Sequence, residues 1–464
     1  NTTSSTMAGY EYRCVLSHIC LPDVVTNPAM LTSKFIAIRF VKAGATGSGL
    51  SWNDASGNLQ KMIDESCDGV EIWVAGGTYK PTKIPDGLSD NRNKTFVMRK
   101  DIKLYGGFAG TEQAIAQRNS LLLINKSILS GDLDGNNGFS ANDASHVVIA
   151  AGNMGTAILD GFTITGGNAY TNSVIVNNYN IDGAYGGGLY VVGTSLVVRN
   201  VSFTKNKASI YGGGMYNAQA SILLKQCVFA GNSARDGGGI YNLESICTVS
   251  NSLFSGNAAT STGGGVHNFT NCVTNFTNVT FSGNDAALGG GIFNNDNSSV
   301  NLKSSILWGN STDIRQFNSV QVFNHSLLSS TEAGIGNLNV DPNFIHAPSY
   351  KDAPFVGGDY HLEPCSPAIN AGDPSASMGS DLEGQTRIQL GRVDMGAYEM
   401  AQHFVDDNAN LVSTAMSMAT GIQVASGKTW YAAECNQLLV SVTSSGSAPV
   451  TGRLNATVWI NNQP

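Results

Sequence analysis

The chain has 464 residues, a formal net charge of -8, 54 glycines, 42% hydrophobic residues and only 13% charged ones. The acidic balance argues against nucleic acid, which needs a basic footprint, and the apolar content excludes wholesale disorder. No apolar run approaches the ~18 residues of a bilayer-spanning helix. Asn, Ser and Thr fill positions usually held by Lys and Glu, as suits a stacked fold where a repeated charge would face its own copy about 4.8 Å away.

Residues 1–35 read as the end of an immunoglobulin-like β-sandwich, because Tyr10-Glu11-Tyr12-Arg13-Cys14 resembles the Tyr-x-Cys strand late in such domains. Residues 36–400 read as one all-β unit that opens with Ile38-Arg39-Phe40-Val41-Lys42. The spacing of Trp52, Ala55, Leu59, Met62 and Ile63 predicts a helix over 52–66, capped by Asn53 or Asp54, that plugs the open end of the unit. Irregular strands follow from Val70-Glu71-Ile72-Trp73-Val74 to residues 158–164.

From residue 186 to 310 the chain repeats. Five glycine triplets are centred on Gly187, Gly213, Gly238, Gly264 and Gly290, spaced 26, 25, 26 and 26 residues apart. Each precedes an aliphatic residue and, mostly, an aromatic and an Asn, as in Met215-Tyr216-Asn217. A second mark carries Phe203, Phe229, Phe254 and Phe281, followed three residues later by Asn206, Asn232, Asn257 and Asn284, with Trp308 assigned to the same row ahead of Asn310. Alternating segments such as Ser221-Ile222-Leu223-Leu224 join the marks with the period of two that strands require. About 26 residues make three short strands and three turns, one coil of a right-handed parallel β-helix. The aromatic row is expected to stack inside, the glycines to form corners, and the Asn to occupy a left-handed turn.

These paired marks resemble the repeats of polymorphic outer-membrane proteins and related bacterial β-helix surface proteins. Downstream, Asp341-Pro342-Asn343-Phe344, Ser366-Pro367-Ala368-Ile369-Asn370 and Asp394-Met395-Gly396-Ala397-Tyr398-Glu399 look like the final coils of a Bacteroidota extracellular family, placing terminal coils at 338–400. That resemblance implies export by the type IX route, an outer-membrane-associated or extracellular location, and a variable C-terminal anchor. Residues 401–464 change again and read as the start of a second β-sandwich or a stem, so the chain is expected to be part of a longer polypeptide, with any export signal outside this sequence.

Candidate sites are sparse. Asp132, Asp134 and Asn136 offer oxygens on alternate residues around Gly135, which suits calcium, although the closing Glu of an EF-hand loop is missing. Tyr170, Tyr179 and Tyr185, in the longest interruption of the repeat, suit ring stacking on sugars or packing of the loop; residues 80–93 form a second candidate loop. Arg387, Asp394 and Glu399 read as charges closing the last coil. The eight cysteines show no zinc spacing; Cys14 and Cys20 suit a small disulfide loop, while Cys247 and Cys272 suit either a bridge or a stack of thiols. Aligned on the triplets, Asp182, Asp236 and Asp285 do not cluster, so no catalytic set emerges. The expectation is a non-catalytic adhesin or stalk segment, not membrane-spanning, that meets cell-surface glycans or other surface proteins. A polysaccharide lyase or hydrolase, a glycan-binding module and a structural fibre are the alternatives.

Overall fold

The computed structural model describes residues 37–400, apart from 88–89, 119–124, 171–172, 365, 376–378 and 389–391, together with short strands at Val15–His18, Leu21–Val25, Phe404–Val405, Leu411–Val412 and Tyr431–Ala432. The expected immunoglobulin-like remnant, the C-terminal sandwich or stem, and Cys14, Cys20, Cys365 and Cys435 otherwise lie outside the described residues.

Ten strands, from Ile38–Val41 through Ser221–Lys225 to Val320–Asn324, pair in parallel one above the next. They form the first face of a parallel β-helix. A second face runs from Gly77–Tyr79 to Leu327–Leu328, and a third from Phe96–Val97 to Ile314–Phe317. Ten rungs at about 4.8 Å give a stack roughly 43 Å long. Alternation explains each strand: in Ser221–Lys225 only Ile222 and Leu224 are buried, and both join one core that runs through the coils. In two coils the first and second faces merge into single strands, Ile246–Ser255 and Val273–Ser282, bent at Asn251 and Asn278, whose φ values are 50° and 55°.

The glycine triplets divide their labour. At Gly212-Gly213-Gly214 only Gly212 has positive φ, 66°. A Cβ on Gly213 would stand 2.6 Å from the Gly238 carbonyl oxygen of the next rung, and one on Gly214 would stand 2.6 Å from that of Gly239. The second and third glycines are there for closeness, the first for its turn.

The aromatic row stacks inside as expected. Phe203, Phe229, Phe254 and Phe281 are wholly buried, with centroids 4.6, 4.8 and 4.6 Å apart and planes within 9°. Trp308 is not a member. Leu307 is in register with Phe281, and Trp308, only two residues before Asn310, packs outside the rod.

The Asn positions also differ from expectation. The left-handed residue is the one before each Asn, Lys205, Gly231, Gly256, Gly283 or Gly309. The asparagines instead face inward as a ladder. The Asn257 Oδ1 accepts the backbone N–H and the side-chain amide of Asn232 (3.1 and 3.0 Å), while its Nδ2 donates to the Phe229 carbonyl and to Asn284 Oδ1 (2.8 and 2.9 Å). Every donor and acceptor of the buried amide is used.

The predicted helix is shorter than 52–66. Helix α1 spans Leu59–Glu65, capped by Asn58, whose Oδ1 accepts the Lys61 N–H at 3.0 Å. Gly57, pressed against the Ala45 carbonyl, precedes it, and Asp54 closes a loop by accepting the Ser48 N–H. Leu59, Met62 and Ile63 do enter the core at the first rungs, as a plug should.

Among the described residues of 338–400, Leu338 makes a parallel bridge to Leu327 on the second face but no strand is added to the three faces, against the expectation of terminal coils; Phe344–His346 and Asp359–Leu362 pair with each other. The segment runs back along the outside of the second face. Leu362, Met395 and Trp308 pack on Ile306 and Leu327, while Tyr360, Leu382 and Ala397 pack on Leu253. The outward residues of that face change in register from Thr163 and Ser202 to Val228, Leu253, Thr280 and Ile306, leaving a largely apolar strip, interrupted by Thr280, to be covered.

Candidate functional site

The expected tyrosine cluster separates into two places. Strands Val174–Val176 and Tyr179–Ile181 form an antiparallel hairpin over the outer side of the third face. Its Val174, Val176 and Ile181 bury against Ile149, Tyr190 and Tyr216, with Tyr179 and Tyr185 packed on the same cluster. Tyr185 lies 4.6 Å from Tyr211 and 5.1 Å from Tyr216. Tyr170 remains 46% exposed and sits on the Arg92 guanidinium, 4.1 Å from ring centroid to Cζ. The packing reading fits Tyr179 and Tyr185.

Asp132 and Asp134 come together, and Asn136 lies in the same loop. Its Oδ1 accepts the Gly138 N–H at 2.7 Å, and the third carboxylate is Asp143, from the far end of the same loop. Asp143 lies beyond the run of residues 132–138 whose spacing marks the loop in the sequence.

Charged hubs elsewhere are bonded mainly among themselves, the Glu399 Oε1 being the buried carboxylate oxygen in them that has no hydrogen-bond partner. Asp160, 1% exposed, accepts from Arg118 (2.9 Å), Arg199 (2.6 Å) and Asn200 (2.9 Å). This set was not read from sequence, although Asp160 and Arg199 are one rung apart in register. Arg387, Asp394 and Glu399 are buried together, yet they close no coil: Arg387 donates to Asn251 Oδ1 (2.9 Å) and to the Gly396 carbonyl (2.6 Å), and faces Glu399 at 3.3 Å. Burial raises the pKa of both Asp394 and Glu399. The trio pins the returning segment to the rod. His361 sits between Asp359 (2.6 Å) and Glu383 (3.2 Å); their carboxylates outweigh burial and raise its pKa. Cys227, Cys247 and Cys272 are free, buried thiols, so the bridge left open for the latter two is not formed.

A surface depression lies on the outer side of the first face. It is a groove of about 600 Å³, crossing three successive turns at Gly193, Gln219 and Glu244 and flanked by Ser195, Ser221 and Ile246. A smaller hollow of about 280 Å³ continues it past Thr156, Leu223 and Thr248. Leu223 and Ile246 are 41% and 51% exposed. Glu244 is the one ionisable residue in either lining, and its Oε2 accepts from Gln219 Nε2 at 3.0 Å. Such a surface offers hydroxyls, amides and aliphatic patches at rung spacing.

The model of the Chlamydia polymorphic membrane protein repeat matches residues 226–243. That stretch holds the second mark of one coil and the triplet that follows. Among solved structures the chain is similar to pectate lyase Pel9A, at 13% identity over 78% of this chain and 96% of that one, with a TM-score of 0.40. It is also similar to pectin methylesterase PemA from Erwinia chrysanthemi, at 11% identity over 64% and 90%, with a TM-score of 0.32. No curated protein sequence matches. Likenesses this distant leave function to be argued from the residues of this chain.

Proposed function

We propose that this chain is a segment of an extracellular bacterial surface protein, a rigid rod that binds neutral glycan chains along its first face and performs no reaction there. One observation carries the reading: the groove across Gly193, Gln219 and Glu244 repeats hydroxyl, amide and aliphatic groups rung by rung with a single carboxylate. An extended, uncharged, hydroxyl-rich polymer complements such a lining, whereas glycosidase chemistry needs a second carboxylate facing the first. The match to a surface-protein repeat supports the location, as does the sparse charge.

Neutral and acidic polysaccharides should be titrated against the chain while the mixture is assayed for new reducing ends and unsaturated products. The expected result is binding to a neutral polymer, weakened at least tenfold by Ile246→Asp or Leu223→Asp, with no product formed. Turnover of any polymer, or binding indifferent to both substitutions, sinks the proposal.

A further inference from the structure

The loop of residues 131–143 leaves the second face after Ser127–Ser130 and is closed at its neck by the Ala144 N–H donating to the Gly131 carbonyl at 2.8 Å. Within it, one oxygen from each of Asp132, Asp134 and Asp143 lies within 4.8 Å of the other two. The loop's own amides shape this arrangement. Asp132 accepts the N–H groups of Gly135 (2.7 Å), Asn136 (3.2 Å) and Asn137 (3.0 Å). Asp134 accepts the Asn136 N–H (3.2 Å) and the Ser140 hydroxyl (2.8 Å).

Asp143 is the informative member. Its side chain is wholly buried, its Oδ2 accepts the Ser140 N–H at 2.5 Å, and its Oδ1 has no hydrogen-bond partner. A buried carboxylate oxygen with its lone pairs unused, beside two further carboxylates, calls for a positive partner. No side chain closes on it: among the described residues no Lys or Arg makes an ion pair with any of the three, Arg92 acting on Asp143 only through space and the Lys80 ammonium lying 3.6 Å from the Cβ position of Gly135. Arg92, close by, donates to the backbone carbonyls of Ser140 (3.4 Å) and Asn168 (2.6 Å).

We propose that Asp132, Asp134 and Asp143 form a calcium site, completed by loop carbonyls and water. The donor set is all oxygen and triply anionic, without His or Cys, which favours a hard cation over zinc. A loop of this kind, with no fixed octahedral frame, suits the larger ion, since magnesium demands tight octahedral geometry and keeps its waters. Burial and the neighbouring charges of Asp134 and Asp132 raise the Asp143 pKa, a penalty on the ionised carboxylate that a bound cation relieves. The site is independent of the glycan groove.

Calorimetric titration of CaCl2 into chelator-treated protein tests it. The expected result is one saturable site with Kd on the order of 10⁻⁴–10⁻³ M, as for extracellular modules. Asp143→Asn and the exposed Asp134→Asn should each weaken binding at least tenfold; should Asp143→Asn fail to fold, Asp134→Asn decides. Absence of saturable heat at about 10 mM Ca²⁺, ten times the weak end of that range, overturns the proposal. So does affinity unchanged in Asp134→Asn, or Mg²⁺ bound as tightly as Ca²⁺.

Discussion

A buried amide that uses all its hydrogen bonds leaves its neighbours stranded when it is removed. Asn257→Ala takes the acceptor from two donors on Asn232 and the donor from the Phe229 carbonyl. Each buried group left unpaired costs about 1–3 kcal/mol, so the urea midpoint should fall clearly, more than for an Ala substitution at exposed Asn301 on the outer face. An equal, small effect at both positions would show that the ladder contributes little. Histidine tells a second residue-scale story. His146 is 2% exposed, with Nδ1 3.1 Å from the Gly186 carbonyl and Nε2 unpartnered. Burial lowers its pKa to about 4, against the favourable charge of Asp182 and with the repulsion of Arg92. The unfolded chain therefore binds the proton first: stability is full above about pH 6.5 and falls as pH drops towards 4, by up to about 3 kcal/mol. His146→Phe should flatten that slope in pH-dependent denaturation, and an unchanged slope would remove His146 as its source.

At the scale of elements, the returning segment is the least regular part and depends on one arginine. Arg387 serves three buried carboxylates, Asp381, Asp394 and Glu399, while bonding to Asn251, 136 residues earlier. Removing one partner of a buried pair costs about 3–5 kcal/mol. Arg387→Met should therefore loosen residues 338–400, so that limited proteolysis cuts there first while 186–310 stays protected. A digestion pattern like that of the parent protein would show the docking to be apolar alone. Because burial raises Asp394 and Glu399, the docked segment holds protons that a detached one releases. Rising pH thus weakens docking.

For the whole molecule, the stack was legible because two marks recur in step, and only successive rungs keep such marks aligned. Glycine corners and the inner Phe row followed from local rules. The start of α1 did not, since Gly57 breaks a helical spacing that begins at Trp52. Trp308 was misplaced because Leu307 holds the row's position three residues before Asn310, and the aromatic next to it was read in its stead, which register shows and composition hides. The course of 338–400 escaped because its partners are distant in sequence, such as Thr280 with Ala397 and Gln226 with Asp381; the change from Thr163 and Ser202 to Val228 and Leu253 was its only local sign. The acidic loop was half legible: Asp132 and Asp134 announce themselves, while Asp143 joins only when the neck closes.

The doubling back also decides where tension enters. Met400, tied to Asp394, follows Ala397, which bonds to Thr280 on the eighth of the ten rungs, short of the tip. A pull on the polypeptide there is met first by the Arg387–Asn251 contact and the apolar strip beneath it, in shear across the flank. The lengthwise hydrogen bonds between rungs are spared until that fastening gives way, so the latch acts as a mechanical fuse for the column.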